Sequence, residues 1–334
     1  MHRKLERNDT AMKNVLVVLP DGEKYRDIIE NGVSDCSFVY ADQHEVTREQ
    51  IDSTNIILGN VLPPEKINGA DNIEFIALES AGADAYLKEG ILAPGTVLTN
   101  ATGAYSKSVA EHGITMTLSL MKHFPFYRDK QQEHIWYGVK YGNIPSTSPE
   151  GATVLIVGLG DIGLYYARLM KSLGSYIIGV KKRPSPCPEY VDELYTTDQI
   201  DQVIGRADVI FSVLPGTRQT YHFYDKEFFM KMKKNAIFIN CGRGASVDTE
   251  ALCDALDEGL ISSAGCDVFE EEPLPDDSRA WKNPKLFITP HRAGYFTLPD
   301  TLAKVVNLSA RNLKAWLAGG KLENVVDFST GYKK

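Results

Sequence analysis

Three short stretches hold residue types that would make a proton-transfer site if the fold brought them together: "INCGRGASVD" (239–248), "DVFEEEP" (267–273) and "TPHRAG" (289–294). An arginine such as Arg243 offers two parallel N–H donors and suits a carboxylate better than an ammonium does. A histidine such as His291 changes charge close to neutral pH and can hand over a proton. A carboxylate beside that histidine favours its charged form and fixes which ring nitrogen faces the reacting group. Any of Glu270, Glu271 and Glu272 could be that acid, although a run of three glutamates is ordinarily a solvated face. Taken singly, each of these residues is ordinary surface chemistry.

The elements around them argue for a meeting. Each stretch follows directly on a short apolar run: "AIFIN" (236–240), "SAGCDV" (263–268) and "LFITP" (286–290). These runs close a series that begins with "TVLIVGLGDIG" (153–163) and continues through "YIIGV" (176–180) and "DVIFSVL" (208–214), with helical patterns such as Thr249 to Glu258 between them. Fully apolar strands alternating with amphipathic helices predict a parallel sheet covered on both faces, here of six strands. Ligands of such sheets lie at the carboxyl ends of the strands, where all three stretches begin. An earlier series predicts a second lobe of about five strands: "NVLVVLP" (14–20), "SFVYA" (37–41), "NIILG" (55–59), "IEFIALE" (73–79) and "GTVLTN" (95–100). One long helix is expected over Ser106 to Phe124 and another over Leu298 to Leu317.

Gly158, Gly160 and Gly163 form G-x-G-x-x-G between the strand at 153 and the helix that follows. The first glycine permits a tight turn, the second lets backbone approach a pyrophosphate, and the third lets helix and strand pack closely. The helix N-terminus then faces the phosphates. An acid at the end of the second strand of such a fold binds a ribose 2′-OH and repels a 2′-phosphate. Here "YIIGV" is followed by Lys181, Lys182 and Arg183, and no acid appears until Glu189. A 2′-phosphate is close to doubly charged near neutral pH, so these cations favour NADP, with NAD as the alternative.

Composition is that of a globular protein, 43% hydrophobic and 24% charged, over 334 residues. A net charge of −8 argues against a nucleic-acid partner, which needs a clustered basic surface. The five cysteines (Cys36, Cys187, Cys241, Cys253 and Cys266) are scattered without metal-ligand spacing, so neither a disulfide framework nor a metal site is expected. No apolar run is long enough for a membrane span, and the first is too short for a signal-peptide core. These readings place the chain in the cytoplasm, with Met1 to Lys13 as a frayed polar arm.

The order and spacing of "GLGDIG", "NCGRGASVD", "DVFEEEPLP" and "TPHRAG", with weaker matches at "LESAGADAY" (78–86), "SVAEHGITMTLSL" (108–120) and around Trp136, resemble the D-isomer-specific 2-hydroxyacid dehydrogenases over nearly the whole chain. The resemblance implies a nicotinamide-dependent oxidoreductase acting on a small anionic 2-keto or D-2-hydroxy acid. Its catalytic residues would be Arg243, Glu272 and His291, with Glu270 and Glu271 turned to solvent. The cofactor residues it implies are Gly158, Gly160, Asp161, Ile162, Gly163, Lys181, Lys182, Arg183, Leu214, Pro215, Thr217, Thr220, Cys241, Asp267 and Gly294, with Asp267 meeting the nicotinamide carboxamide. Ala81 and Gly82 would hold the substrate carboxylate together with Arg243 and His291, and Asn100 and Tyr105 would border the same cleft. No metal is implied.

The architecture expected is an α/β pair of doubly wound parallel-sheet lobes: a Rossmann dinucleotide domain (105–296) inserted in a flavodoxin-like substrate domain built from 1–104 and the returning helix and tail, 297–334. The resemblance also implies a homodimer with much of its interface between Ser106 and Trp136. Two departures bear on the substrate. Arg292 follows His291 where the family has a small or apolar residue. Gly59-Asn60-Val61 stands where the branch acting on phosphorylated hydroxyacids has an arginine. The "AGADAY" pattern is closer to the glyoxylate/hydroxypyruvate reductase branch. The alternatives are a phosphoglycerate or D-lactate type of dehydrogenase, or a non-catalytic dinucleotide-sensing protein of the same fold.

Overall fold

A computed structural model describes residues 12–328 and 332–333. Residues 1–11 of the polar leader lie outside the described residues. The chain forms two compact units: one runs to Tyr105 and resumes at Leu298, the other is Ser106–Thr297.

The first unit is a parallel sheet of β1 (Lys13–Val17), β2 (Cys36–Tyr40), β3 (Ile56–Leu58), β4 (Phe75–Ala77) and β5 (Val97–Thr99), in the order β2-β1-β3-β4-β5. That is the flavodoxin-like order. β3 and β4 are buried at every position, as central parallel strands must be. Two short helices, α1 (Arg26–Glu30) and α2 (Arg48–Asp52), lie on the connections. Thr47 and Gln50 begin α2 with a reciprocal capping box. One side of the core gathers Leu16, Ile57, Ile76 and Leu98 with Ile51 and Ile67.

The second unit begins with α3 (Ser106–Met121) and α4 (Phe124–Gln132). The single helix expected to Phe124 therefore ends three residues early. His123 takes a left-handed φ of 58°, and Pro125 stands in the first turn of α4. A proline there suits a helix start, so a new helix begins after the left-handed His123 instead of α3 running on. The sheet follows as β6 (Thr153–Val157), α5 (Asp161–Ser172), β7 (Tyr176–Lys181), β8 (Glu193–Thr196), β9 (Val209–Ser212), α6 (Lys226–Lys231), β10 (Ile237–Asn240), α7 (Thr249–Asp257), β11 (Ser263–Cys266) and β12 (Leu286–Ile288).

Its order is β12-β11-β10-β9-β6-β7-β8, all parallel, with seven strands where six were expected. The missed strand is β8. It sits at the sheet edge with all four residues half-buried, so no apolar run announces it. With β8 in place, the strands from β8 to β11 form the Rossmann order and β12 extends it.

The chain then returns to the first unit through α8 (Pro299–Leu317), and β13 (Val326–Asp327) pairs with β14 (Tyr332–Lys333). Among the described residues no helix is long and apolar enough to cross a membrane.

Candidate active site

Register brings the three chemical stretches to one edge. Asn240, Cys266 and Ile288 end β10, β11 and β12 and lie side by side across the ladder. Arg243, Asp267 to Glu272, and His291 therefore leave adjacent strands at one level. The closeness is visible at Gly244: a Cβ there would lie 1.8 Å from the Phe269 carbonyl oxygen. Only a glycine lets the turn carrying Arg243 press on the loop carrying Glu272.

Glu272 Oε2 lies 2.6 Å from His291 Nδ1, and Glu272 Oε1 accepts the Phe269 N–H at 2.9 Å. Burial pushes the Glu272 carboxyl up. The His291 bond, the Phe269 N–H and the charges of His291 and Arg243 together outweigh it and hold the group below the usual carboxylate range. With Nδ1 engaged by the acid, His291 has Nε2 left to face a substrate. His291 itself has φ 52°, a left-handed conformation that a side chain adopts at a cost. Its N–H is held by the carbonyls of Asp267 (2.7 Å) and Thr289 (3.1 Å).

Asp267 is buried and anchors the turn that bears His291. Its Oδ1 accepts the Thr289 hydroxyl (2.5 Å) and the Arg292 N–H (2.8 Å), and its Oδ2 accepts the Ala293 N–H (2.9 Å). Those donors leave one acceptor position on Oδ2 for the carboxamide contact expected of it. The Arg292 guanidinium lies 4.9 Å from the centre of the exposed Tyr295 ring.

The run of glutamates divides differently from expectation. Glu271 is exposed, but Glu270 is not simply turned to solvent. Its Oε1 lies 2.5 Å from His222 Nε2, and its Oε2 accepts the Thr249 N–H at the start of α7. His222 is 48 residues away in sequence, and nothing near Glu270 signals it.

The glycine turn fits a dinucleotide. Gly158 has φ 100°, and a Cβ on it would lie 2.7 Å from the Val213 carbonyl. Gly160 is the N-cap of α5 and offers no side chain to its first turn; Asp161, Ile162 and Gly163 make up that turn, whose N–H groups and dipole suit a phosphate. Leu214 and Pro215 follow β9 beside it. Thr220 folds its hydroxyl back on the Pro215 carbonyl at 2.6 Å and accepts the Thr217 N–H at 2.9 Å, so this loop is held in shape by its own threonines. At the end of β7, Lys181 reaches Ser185 Oγ (3.1 Å) and Lys182 reaches Gln219 Oε1 (2.6 Å), while Arg183 is exposed. Cys241 is buried, and that burial pushes its thiol well up. The Gly294 carbonyl accepts the Ser108 hydroxyl.

In the first unit, the Ala81–Gly82 turn is held from the neighbouring strand end. Asn100 Nδ2 donates to the Ala81 carbonyl at 2.8 Å, Ser80 Oγ to Gly82 O at 2.6 Å, and the Tyr105 hydroxyl to Glu79 O at 2.7 Å. Among the described residues no group of three or more His, Cys, Asp or Glu side chains could hold a metal ion.

Comparison with known proteins decides the family. The profile of the D-isomer specific 2-hydroxyacid dehydrogenase NAD binding domain matches residues 114–293. The chain belongs to the D-isomer specific 2-hydroxyacid dehydrogenases. It is 33% identical to an uncharacterized protein of Corynebacterium melassecola over 85% of this chain and 92% of the relative. To a glyoxylate reductase of Thermofilum pendens it is 31% identical, over 80% and 79%. A D-isomer specific 2-hydroxyacid dehydrogenase family protein from Aeromonas salmonicida superposes with a TM-score of 0.82 at 29% identity, over 95% of this chain and 100% of that one. D-3-phosphoglycerate and D-lactate dehydrogenases also match, at 30% and 31% identity. A D-isomer specific 2-hydroxyacid dehydrogenase from Xanthobacter autotrophicus, solved with NADPH, is 25% identical over 96% of this chain and 100% of that one, with a TM-score of 0.79. As a 2-hydroxyacid dehydrogenase the chain is an NAD(P)-dependent enzyme acting on the CH–OH group. Two residues that touch Asp267 escaped the sequence reading, His112 and Thr289. His112 lies within the quoted "SVAEHG", but on a helix it reads as a polar-face residue.

Proposed function

We propose that the enzyme reduces a small, unphosphorylated 2-keto acid of the glyoxylate/hydroxypyruvate kind, with NADPH preferred over NADH. The observation that carries this is the 2.6 Å Glu272–His291 pair, with the charge of Arg243 acting on the same carboxylate. When bound, the nicotinamide supplies the hydride. His291 Nε2 gives its proton to the keto oxygen as charge develops there, and Glu272 stabilises the imidazolium beforehand and fixes its ring. Arg243 clamps the substrate carboxylate with its paired N–H donors. Ala81 and Gly82 remain proposed contacts to that carboxylate. In reverse, neutral His291 takes the proton from the hydroxyl.

Against a phosphorylated substrate stands the loop after β3. It offers Gly59, Asn60 and Val61 where a phosphate would need a cation, and Asn60 is bonded to the Glu79 N–H at 3.2 Å. For NADPH stand Lys181, Lys182 and Arg183 and the missing acid after β7. The glyoxylate reductase relative and the neighbour solved with NADPH agree with both preferences but stand beside relatives of other specificity. The exposed Phe124, Trp136 and Val139 (65%, 89% and 87%) support a homodimer through this region, to be checked by analytical ultracentrifugation. Five free cysteines suit a reducing cytoplasm.

The test is kcat/KM for glyoxylate, hydroxypyruvate, pyruvate and phosphohydroxypyruvate with each cofactor. Lys181→Asp with Arg183→Ala should swing preference toward NADH. Arg243→Lys should lose on the order of 10²-fold in kcat/KM, because charge survives but the fork does not. Wild-type preference for NADH would overturn the cofactor reading, and preference for phosphohydroxypyruvate the substrate reading. An Arg243→Lys enzyme of full efficiency would remove Arg243 from the site.

A further inference from the structure

His112 lies on α3, away from the three stretches that carry the chemistry, yet its Nε2 is 2.9 Å from the Thr289 hydroxyl and 3.5 Å from Asp267 Oδ1. Proton counting assigns the bond. A threonine hydroxyl has one hydrogen. Asp267 gathers three donors, the pattern of a carboxylate that can only accept, so the Thr289 hydrogen points to Oδ1 across 2.5 Å. The His112 contact is then a hydrogen bond into Thr289 Oγ1, and His112 Nε2 carries the proton. Burial lowers the readiness of His112 to charge, more than the charge of Asp267 restores it, which suits a neutral ring with its hydrogen on Nε2.

The same helix holds the other end of the turn. Ser108, one helical turn before His112 and on the same face, donates its hydroxyl to the Ala293 carbonyl at 2.8 Å. α3 therefore grips residues 289 and 293 on either side of His291. Between those points the backbone of His291 is left-handed, a conformation that persists only where its surroundings impose it. Its N–H bonds go to Asp267 and Thr289, the two residues that the His112 chain ties together.

We propose that His112 is a positioning residue for proton transfer: through the Thr289 hydroxyl and Asp267 Oδ1 it fixes the turn that aims His291 at the substrate. The inference rests on the reading of His291 as the proton donor. His112 touches neither substrate nor cofactor in this scheme. Loss of its donor lets the turn shift, and a shift of about 1 Å at a reacting group can cost up to 10²-fold in rate.

The test compares His112→Phe, which keeps a ring but no donor, with His112→Gln, whose amide can donate from a similar reach, and with Thr289→Val. In the full-length enzyme with glyoxylate and NADPH, His112→Phe and Thr289→Val should each lower kcat on the order of tenfold, with KM and melting temperature little changed. The double variant should be no worse than the poorer single, because both break one chain. His112→Gln should recover most of kcat. Full kcat in His112→Phe, equal loss in His112→Gln, or additive losses in the double variant would each overturn the proposal. Wild-type inactivity toward every keto acid would instead sink the functional reading. The positioning claim then still faces nitrogen NMR of histidine-labelled protein. There His112 must show the Nε2–H form at neutral pH, and His291 ring signals must move in His112→Phe. An Nδ1–H or charged His112, or unmoved His291 signals, would overturn it without any turnover.

Discussion

Glu79 stands two residues beyond β4, directly before the Ser80–Gly82 turn. It is 7% exposed, and its Oε2 is buried without a hydrogen-bond partner among the described residues. Burial pushes this carboxyl from 4.5 to about 8, against a smaller opposing pull from the Asn60 N–H. The folded protein thus holds a proton that the unfolded chain releases. A group raised in this way stabilises fully below its unfolded pKa, near 4.5, and that contribution is lost as pH rises toward 8. At about 1.4 kcal/mol per pH unit the upper limit is ~5 kcal/mol, and half of that is a sensible expectation after relaxation.

Glu79→Gln cannot ionise. Its unfolding free energy in urea should match wild type within about 1 kcal/mol at pH 5 and exceed it by about 2 kcal/mol or more at pH 9. Trp316, stacked on Phe75 of β4 at 5.0 Å, can report the transition in a background without Trp136 and Trp281. On the proposed substrate role of this turn, KM for a keto acid should climb above pH 8 in wild type and stay level in Glu79→Gln, since an ionised Glu79 repels a carboxylate. Wild-type and variant stability curves that run parallel from pH 5 to 9 would refute the buried-acid argument.

Other substitutions separate roles within the site. Glu272→Gln keeps shape but removes the charge beside His291, so kcat should fall roughly 10²-fold with folding intact by circular dichroism. Glu270→Gln should leave kcat alone but cost about 0.5–1 kcal/mol, through His222 and the start of α7. Its carboxyl, raised by burial, is lowered further by His222 and the Thr249 N–H, so this difference should be present above the ordinary carboxylate range and fade on acidification; Glu271→Gln should be silent in both assays. Gly244→Ala forces a Cβ into the Phe269 backbone and should lower both melting temperature and kcat by parting Arg243 from Glu272; wild-type values would show that the two loops can separate freely.

What was legible in the sequence follows from what each element buries. Central strands such as β6 and β9 announce themselves because parallel strands covered on both faces must be apolar throughout. β8 did not, because one of its sides has no neighbouring strand and its residues stay half-wet. The end of α3 was readable in the His-Phe-Pro sequence at 123–125 but was outweighed by the apolar pattern running through it. Arg243, His291 and the run of glutamates could be picked out because loops after adjacent parallel strands share one edge, whereas the choice of Glu272 within the run came from the resemblance to the family. His112 and the His222–Glu270 pair could not, since each depends on a contact between distant segments that no local pattern encodes.

The division of the chain has a consequence in time. The first unit is finished only by α8 and the segment behind it: Trp316 covers Phe75, Asn312 and Asn324 bond to residues 323, 100 and 102, and Val325 bridges to Thr99. All of Ser106–Thr297 leaves the ribosome in between. At roughly 5–20 residues per second that is a wait of roughly 10–40 s, during which β4 and β5 stand without their cover while the later-made dinucleotide unit already has every strand it needs. A nascent chain stalled just after Leu298 emerges should therefore carry a protease-resistant second unit behind an N-terminal hundred residues that are still cut. Resistance of both at that length would mean that the first sheet closes without its returning helix.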